Sequence, residues 1–249
     1  MLKNGIGDSF VEISENCLFA AGGNRVCFIH PGDPSKVLKI NRNDWSPEIK
    51  KASAGFPKNL RPLDAFDENV EESMVLDRLA AKFPDECGEL FPRSYGMVET
   101  NYGRALISDA FRDGDGQISR TVESHLMTGF GDAVFHAAVD RFSTEWVRAG
   151  IPSRQLLLHN ILVQKVDEKK RLVVCDGLGW PTWLAVFQLS SRARRQKAAK
   201  RVGEFRERIR NFQNNLDLHG AEHNKWAVLR TSRPSAEEVR KMIRRRRNS

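Results

Sequence analysis

A chain of 249 residues that is 40% hydrophobic and 29% charged has a globular composition and enough length to bury one large core or two smaller ones. No apolar run approaches the roughly 18 residues a spanning helix needs, and the N-terminus lacks the cationic-then-apolar order of a secretion signal. The net charge of +8 is concentrated between Arg192 and Arg210 and in the tail Arg240 to Arg247, which fits either an anionic partner or solvated surface.

The four cysteines, Cys17, Cys27, Cys87 and Cys175, match no zinc spacing and read as reduced thiols of a cytoplasmic protein. Residues 10 to 40 are strand-like. Phe10 to Ile13 alternates with period two, and Arg25 to His30 and Lys36 to Ile40 read as further strands joined by the turn His30-Pro31-Gly32-Asp33-Pro34. The small-residue stretch Ala20-Ala21-Gly22-Gly23-Asn24 lies between the first two strands. It reads as a plain hairpin turn, or as a loop whose backbone N–H groups cradle phosphate.

Lys39 stands inside a strand, in Val37-Leu38-Lys39-Ile40. The bland reading points it to solvent; the functional one makes it a point charge for a phosphate, held by a carboxylate. From Asp67 to Phe83 the period is helical. Glu72 shares a stripe with Val75, Leu76, Leu79 and Phe83. A carboxylate on an apolar stripe is costly unless paired, and Lys39 is its expected partner. Glu72 can also be read as an ordinary first-turn acid.

Two strands follow, Tyr95 to Thr100 and Arg104 to Ser108, linked by Asn101-Tyr102-Gly103. Arg112 to Gln117 is polar and Gly-rich. Its alternating acids lack the closing Glu of a calcium loop, so it reads as a linker between a β-rich part and a helical part. Asp132 is an expected N-cap of a helix whose Phe135, Val139, Phe142 and Trp146 share a face and which Gly150 ends. Leu156 to Val163 and Arg171 to Gly177 read as an antiparallel hairpin around Gln164 to Lys170. That hairpin sets the Asn160 amide beside the Asp176 carboxylate, and oxygen ligands of this kind suit a hard cation such as Mg2+. Asp176-Gly177 is equally an ordinary turn. After an apolar segment, Trp180 to Leu189, a helix runs from Ser191 to about Phe212, with Val202, Phe205, Ile209 and Phe212 inward and Lys/Arg outward. Ser235 to Arg245 reads as a short basic helix.

The order of parts resembles the protein-kinase-like fold: an α+β, two-lobed arrangement with a β-rich N-lobe and a mainly helical C-lobe. It resembles more closely the YrbL family of PhoP regulatory network proteins, a bacterial, divergent kinase-like group. The resemblance is carried by Gly22 to Ile40, Arg93 to Asp109 and Leu156 to Gly179, and it covers roughly residues 10 to 195. It implies an N-lobe at 1–111, a linker at 112–117, a helical C-lobe at 118–230 and a basic tail at 231–249. It further implies ATP and Mg2+ as cofactors. Lys39 would contact the α/β-phosphates, Glu72 would hold Lys39, Gly22 and Gly23 would be what remains of the glycine-rich loop, and Asn160 and Asp176 would hold the metal.

The pattern departs where the catalytic base belongs. Kinases place an Asp five residues before the metal-binding Asn; here that position is Gln155, and Leu157 stands where a lysine is usual. Gln takes no proton at neutral pH, which leaves His159 as the alternative base. Three functions compete. The first is a nucleotide- and Mg2+-binding protein with impaired or atypical phosphotransfer and a regulatory role. The second is a small-molecule or lipopolysaccharide-type kinase that uses another base. The third is a non-enzymatic pseudokinase that docks an anionic partner on its basic C-terminal helix.

Overall fold

A computed structural model describes residues 10–129, 131–179 and 190–219. The apolar segment Trp180 to Leu189 and the basic tail lie outside the described residues. Those that are described form two units, one of residues 10–74 and 94–110 and one of residues 75–93 and 111–219.

The first unit is built on a six-stranded sheet. Its strands are β1 (Phe10–Val11), β2 (Leu18–Ala21), β3 (Arg25–Ile29), β4 (Lys36–Asn41), β5 (Ser94–Thr100) and β6 (Gly103–Asp109), in the spatial order β1-β5-β6-β4-β3-β2. Every pairing is antiparallel except β1 with β5. Alternation buries Val26, Phe28, Leu38, Ile40, Val98 and Ala105 together with Ile13. The β3–β4 turn is fixed by Asp33, whose carboxylate accepts from the Ser35 hydroxyl and backbone N–H and pairs with Lys36. The Ser35 hydroxyl bond, then the Lys36 ammonium, hold the Asp33 pKa at about 2.

Sequence periodicity passed over β2 and a short helix, α1 (Pro47–Ser53). Ser46 caps α1, accepting from Ile49 N, and Pro47 occupies its first turn. Helix α2 (Glu68–Lys82) begins in the first unit and continues, from Val75, in the second.

The second unit holds α3 (Val122–Met127), α4 (Ala133–Ala149), the antiparallel strands β7 (Arg120–Thr121), β8 (Ile161–Val166) and β9 (Lys169–Val174), and α5 (Ser191–His219). One core runs through it, with Leu76, Leu79 and Phe83 of α2, the α4 stripe Phe135, Val139, Phe142 and Trp146, and the α5 stripe Val202, Phe205 and Ile209. The expected caps of α4 are present. Asp132 Oδ1 accepts from Phe135 N at 2.7 Å, and Gly150, at φ 68°, donates its N–H to Trp146 O at 2.9 Å. Lys170 Nζ clamps both Asp132 oxygens at 2.8 and 2.7 Å. That bond, ahead of the Phe135 N–H, draws the Asp132 pKa below the ordinary carboxylate value.

Residues 112–117, expected to be a linker, form a hydrogen-bonded loop. Asp113 N donates to Gln117 O, Gly114 N donates to Lys165 O on β8, and Asp113 Oδ1 accepts from Lys165 N. The hairpin is also tighter than its sequence implied. β8 starts only at Ile161, and the turn is two residues, Asp167 and Glu168, with Asp167 at φ 54°. Asp is among the residues that tolerate this conformation. Leu158–Asn160 is a short 3-10 turn, so Leu156 and Leu158 enter the core from irregular chain.

Candidate functional site

In the first unit, the ion pair expected between Lys39 and Glu72 is formed. β4 lies inside the sheet, with Cys27 of β3 opposite Lys39 on one side and Leu106 of β6 on the other. Lys39 Nζ donates to Glu72 Oε1 at 2.6 Å, and each side chain is only 10% exposed. Asn69, one turn before Glu72 on α2, is fully buried and donates its amide to Lys39 O at 2.9 Å. Its own N–H is held by Asp67 Oδ1 at 2.9 Å. The start of α2 is therefore fastened to β4 by a backbone contact as well as by the ion pair, which fixes where the lysine head sits.

Glu72 has a second cation. Arg25, at the start of β3, donates Nη1 to Glu72 Oε2, with its side chain 11% exposed. Sequence reasoning missed it, although the signal was present. Cys27 faces Lys39 directly across the pair, and Arg25 lies two residues before Cys27, so period two places it on the same face.

Gly22, Gly23 and Asn24 are exposed, in the loop between β2 and β3. Gly22 N donates to Arg25 O at 2.7 Å, closing the hairpin, and Arg42 spans the loop by donating Nη1 to Gly22 O and its backbone N–H to Asn24 O. A Cβ on Gly22 would meet only Arg25 O at 3.6 Å, and one on Gly23 would meet nothing within 4 Å. Neither glycine is demanded by the fold of the loop.

In the second unit, Asn160 and Asp176 flank one end of the β8–β9 hairpin. Cys175 N donates to Asn160 O at 2.9 Å, and Gly177 N donates to Asp176 Oδ1 at 2.6 Å. Gly177 has φ 77°, and a Cβ there would lie 3.1 Å from Asn160 Nδ2 and 3.0 Å from Gln155 O. The Asn160 amide and the Gln155 backbone carbonyl thus both lie beside Gly177. Arg154 N to Gly177 O and Gly179 N to Pro152 O bind the two segments together. His159, in the 3-10 turn, is partly buried. No group of three or more His, Cys, Asp or Glu among the described residues could hold a metal ion. An Asn with an Asp is instead the sparse oxygen set that Mg2+ accepts when phosphate oxygens and water complete its shell.

A family model described as PhoP regulatory network protein YrbL matches residues 11–210. The chain belongs to this family. It is similar to the YrbL proteins of Escherichia coli (strain K12) and Shigella flexneri, each 25% identical over 181 residues that make up 69% of this chain and 75% of theirs. Among solved structures, the chain is similar to the kinase domain of Mycobacterium tuberculosis PknI. A double mutant of that domain has a TM-score of 0.40 at 14% identity, covering 74% of this chain and 68% of its own. The unmutated domain has a TM-score of 0.38 at 17% identity, covering 66% and 58%. As in the sequence reading, the YrbL-family chain is α+β, with strands dominating its first unit and helices its second.

The basic face of the last helix is also present. α5 opens with Arg192, Arg194, Arg195 and Lys197 and carries no acid in its first turn, although a helix N-terminus favours anions. Burial first, then neighbouring Arg194, pulls the Lys82 ammonium below its ordinary pKa. Burial followed by Arg201 and Lys200 does the same to Lys197. No helix among the described residues is long and apolar enough to cross a membrane.

Proposed function

We propose that this YrbL-family chain is a cytoplasmic nucleotide- and Mg2+-binding protein with impaired or atypical phosphotransfer, acting in regulation. The observation that carries it is the buried pair of Lys39 on β4 and Glu72 on α2, joined at 2.6 Å. A lysine head fixed by a carboxylate in this strand-and-helix order is what the kinase resemblance requires for holding α/β-phosphates. In the same reading Asn160 and Asp176 hold Mg2+, which would shield phosphate charge, and Gln155 leaves the acceptor hydroxyl without a base.

Thermal unfolding with ATP and Mg2+ tests the reading. At ATP near a hundred times Kd, binding raises the unfolding free energy by about 2.7 kcal/mol. Lys39→Ala and Asp176→Ala should fold and lose most of that gain. No shift of the wild type at millimolar ATP, with any divalent metal, removes the proposal.

A second reading rests on α5. Cations crowded at the positive end of a helix are repelled by the dipole and by one another, and an anionic partner relieves both. In that case the chain is a pseudokinase that docks through this face. Charge reversal at Arg195 and Lys200 would then abolish partner capture and leave the ATP shift intact.

A further inference from the structure

The glutamate that holds Lys39 is shared. Glu72 offers one carboxylate oxygen to Lys39 and the other to Arg25, and all three side chains are about nine-tenths buried. An arrangement made only to fix Lys39 needs one cation on the carboxylate, because a second cation lowers the attraction available to the first and brings its own desolvation cost.

Arg25 also has a particular place in the chain. It is the first residue of β3, directly after the exposed Gly22–Asn24 loop, and its backbone oxygen accepts the Gly22 N–H that closes that loop. Its position two residues before Cys27, whose partner across the ladder is Lys39, sets both cations on one face of adjacent strands. A guanidinium has five N–H donors in a planar fork, so one edge can hold a carboxylate while another meets an anion. Glu72 fixes the rotamers of both cations before any ligand arrives, which reduces the ordering cost of binding.

We infer that Arg25 is a second phosphate-contacting cation, working beside Lys39 on the polyphosphate of a nucleotide and preorganised by the Glu72 carboxylate it shares. The inference rests on the nucleotide reading and adds to it a residue outside the kinase pattern. A second fixed cation at the phosphates makes affinity depend on phosphate count: ATP is favoured over ADP, and adenosine is indifferent to Arg25.

The test is calorimetric titration of ATP, ADP and adenosine, with Mg2+, into the wild type, Arg25→Gln and Arg25→Lys, each variant checked for a cooperative melt. Losing a charge-assisted bond should weaken ATP on the order of tenfold to a hundredfold in Arg25→Gln. Adenosine affinity should stay as in the wild type, and Arg25→Lys should recover part of the loss. A purely structural arginine would lower adenosine and ATP together, and that result overturns the inference. So does unchanged ATP affinity in Arg25→Gln, while the nucleotide reading stands. A wild type that binds none of the three overturns both. If Arg25→Gln does not fold, Arg25→Lys decides: its shorter, single-headed side chain should reduce the ATP-to-adenosine affinity ratio, and an unchanged ratio overturns the inference.

Discussion

Gly177 and the Gly22-Gly23 pair look alike in sequence and differ physically. Gly177 sits at φ 77° with Gln155 O and Asn160 Nδ2 at 3.0 and 3.1 Å from where a Cβ would stand. Gly177→Ala should therefore destabilise the protein by about 1–2 kcal/mol from backbone conformation alone, with more from the close contacts. Gly22 and Gly23 show neither a left-handed φ nor a tight Cβ environment. Alanine at either should change stability by no more than about 0.5 kcal/mol. If that loop approaches phosphate closely, both alanine variants still lose ATP-dependent stabilisation, because a methyl group then stands where the ligand comes near. Melting curves with and without ATP separate the two effects, and a full ATP shift in both variants would remove the loop from the site. Sequence marked all three glycines and could not rank them, since φ and the approach of neighbours are properties of the folded chain.

Helix α4 was legible to the residue, because both its ends carry side-chain signals: Asp132 as the cap and Gly150 in the left-handed region. Helix α5 was legible in its stripe and not in its end. It runs on to His219, past the expected stop near Phe212, since Phe212 and Leu216 still pack on the core through a polar stretch. α3 has six residues, too few for a helical period to show. Leu156 to Leu158 read as strand because a run of apolar residues does not tell a strand from a buried irregular segment. Helix α2 yielded its partner because Glu72 broke an apolar stripe, while Arg25 stayed hidden until the β3–β4 register was known. That sharing has a thermodynamic consequence. Glu72→Ala removes the carboxylate that two buried cations share, which should cost about 3–5 kcal/mol. Lys39→Ala leaves Glu72 paired with Arg25 and should cost distinctly less. In a double-mutant cycle the two should be non-additive by more than about 0.5 kcal/mol. Additivity would mean that the pair contributes nothing, and equal single costs would mean that Arg25 does not hold Glu72. Urea unfolding of the four proteins supplies the cycle.

For the chain as a whole, the resemblance to kinases departs most at the base, so the decisive substitution for the proposed function is the one that restores it. Gln155 is exposed, and what stands nearest a Cβ at Gly177 is its backbone oxygen, so Gln155→Asp should leave the fold unchanged. A general base contributes about 10²–10⁴-fold to such a reaction, while positioning and electrostatic stabilisation of the phosphoryl group contribute most of the rest. If the base is the only missing part, Gln155→Asp should raise ATP turnover within that range, most strongly with a hydroxyl acceptor, and leave nucleotide affinity unchanged. Leu157 bears on the same outcome. An apolar side chain where a kinase carries a lysine removes a charge that would steady the transferred phosphoryl group, so Gln155→Asp with Leu157→Lys should exceed Gln155→Asp alone. Retained ATP binding with no gain in either variant would assign the chain to the non-enzymatic reading, with the basic face of α5 as its working surface. A wild-type turnover already at about 1–100 s⁻¹ would contradict both and move the base to another residue. His159 beside Asn160 is then the one to substitute, and His159→Gln should lower that turnover by about 10²–10⁴-fold.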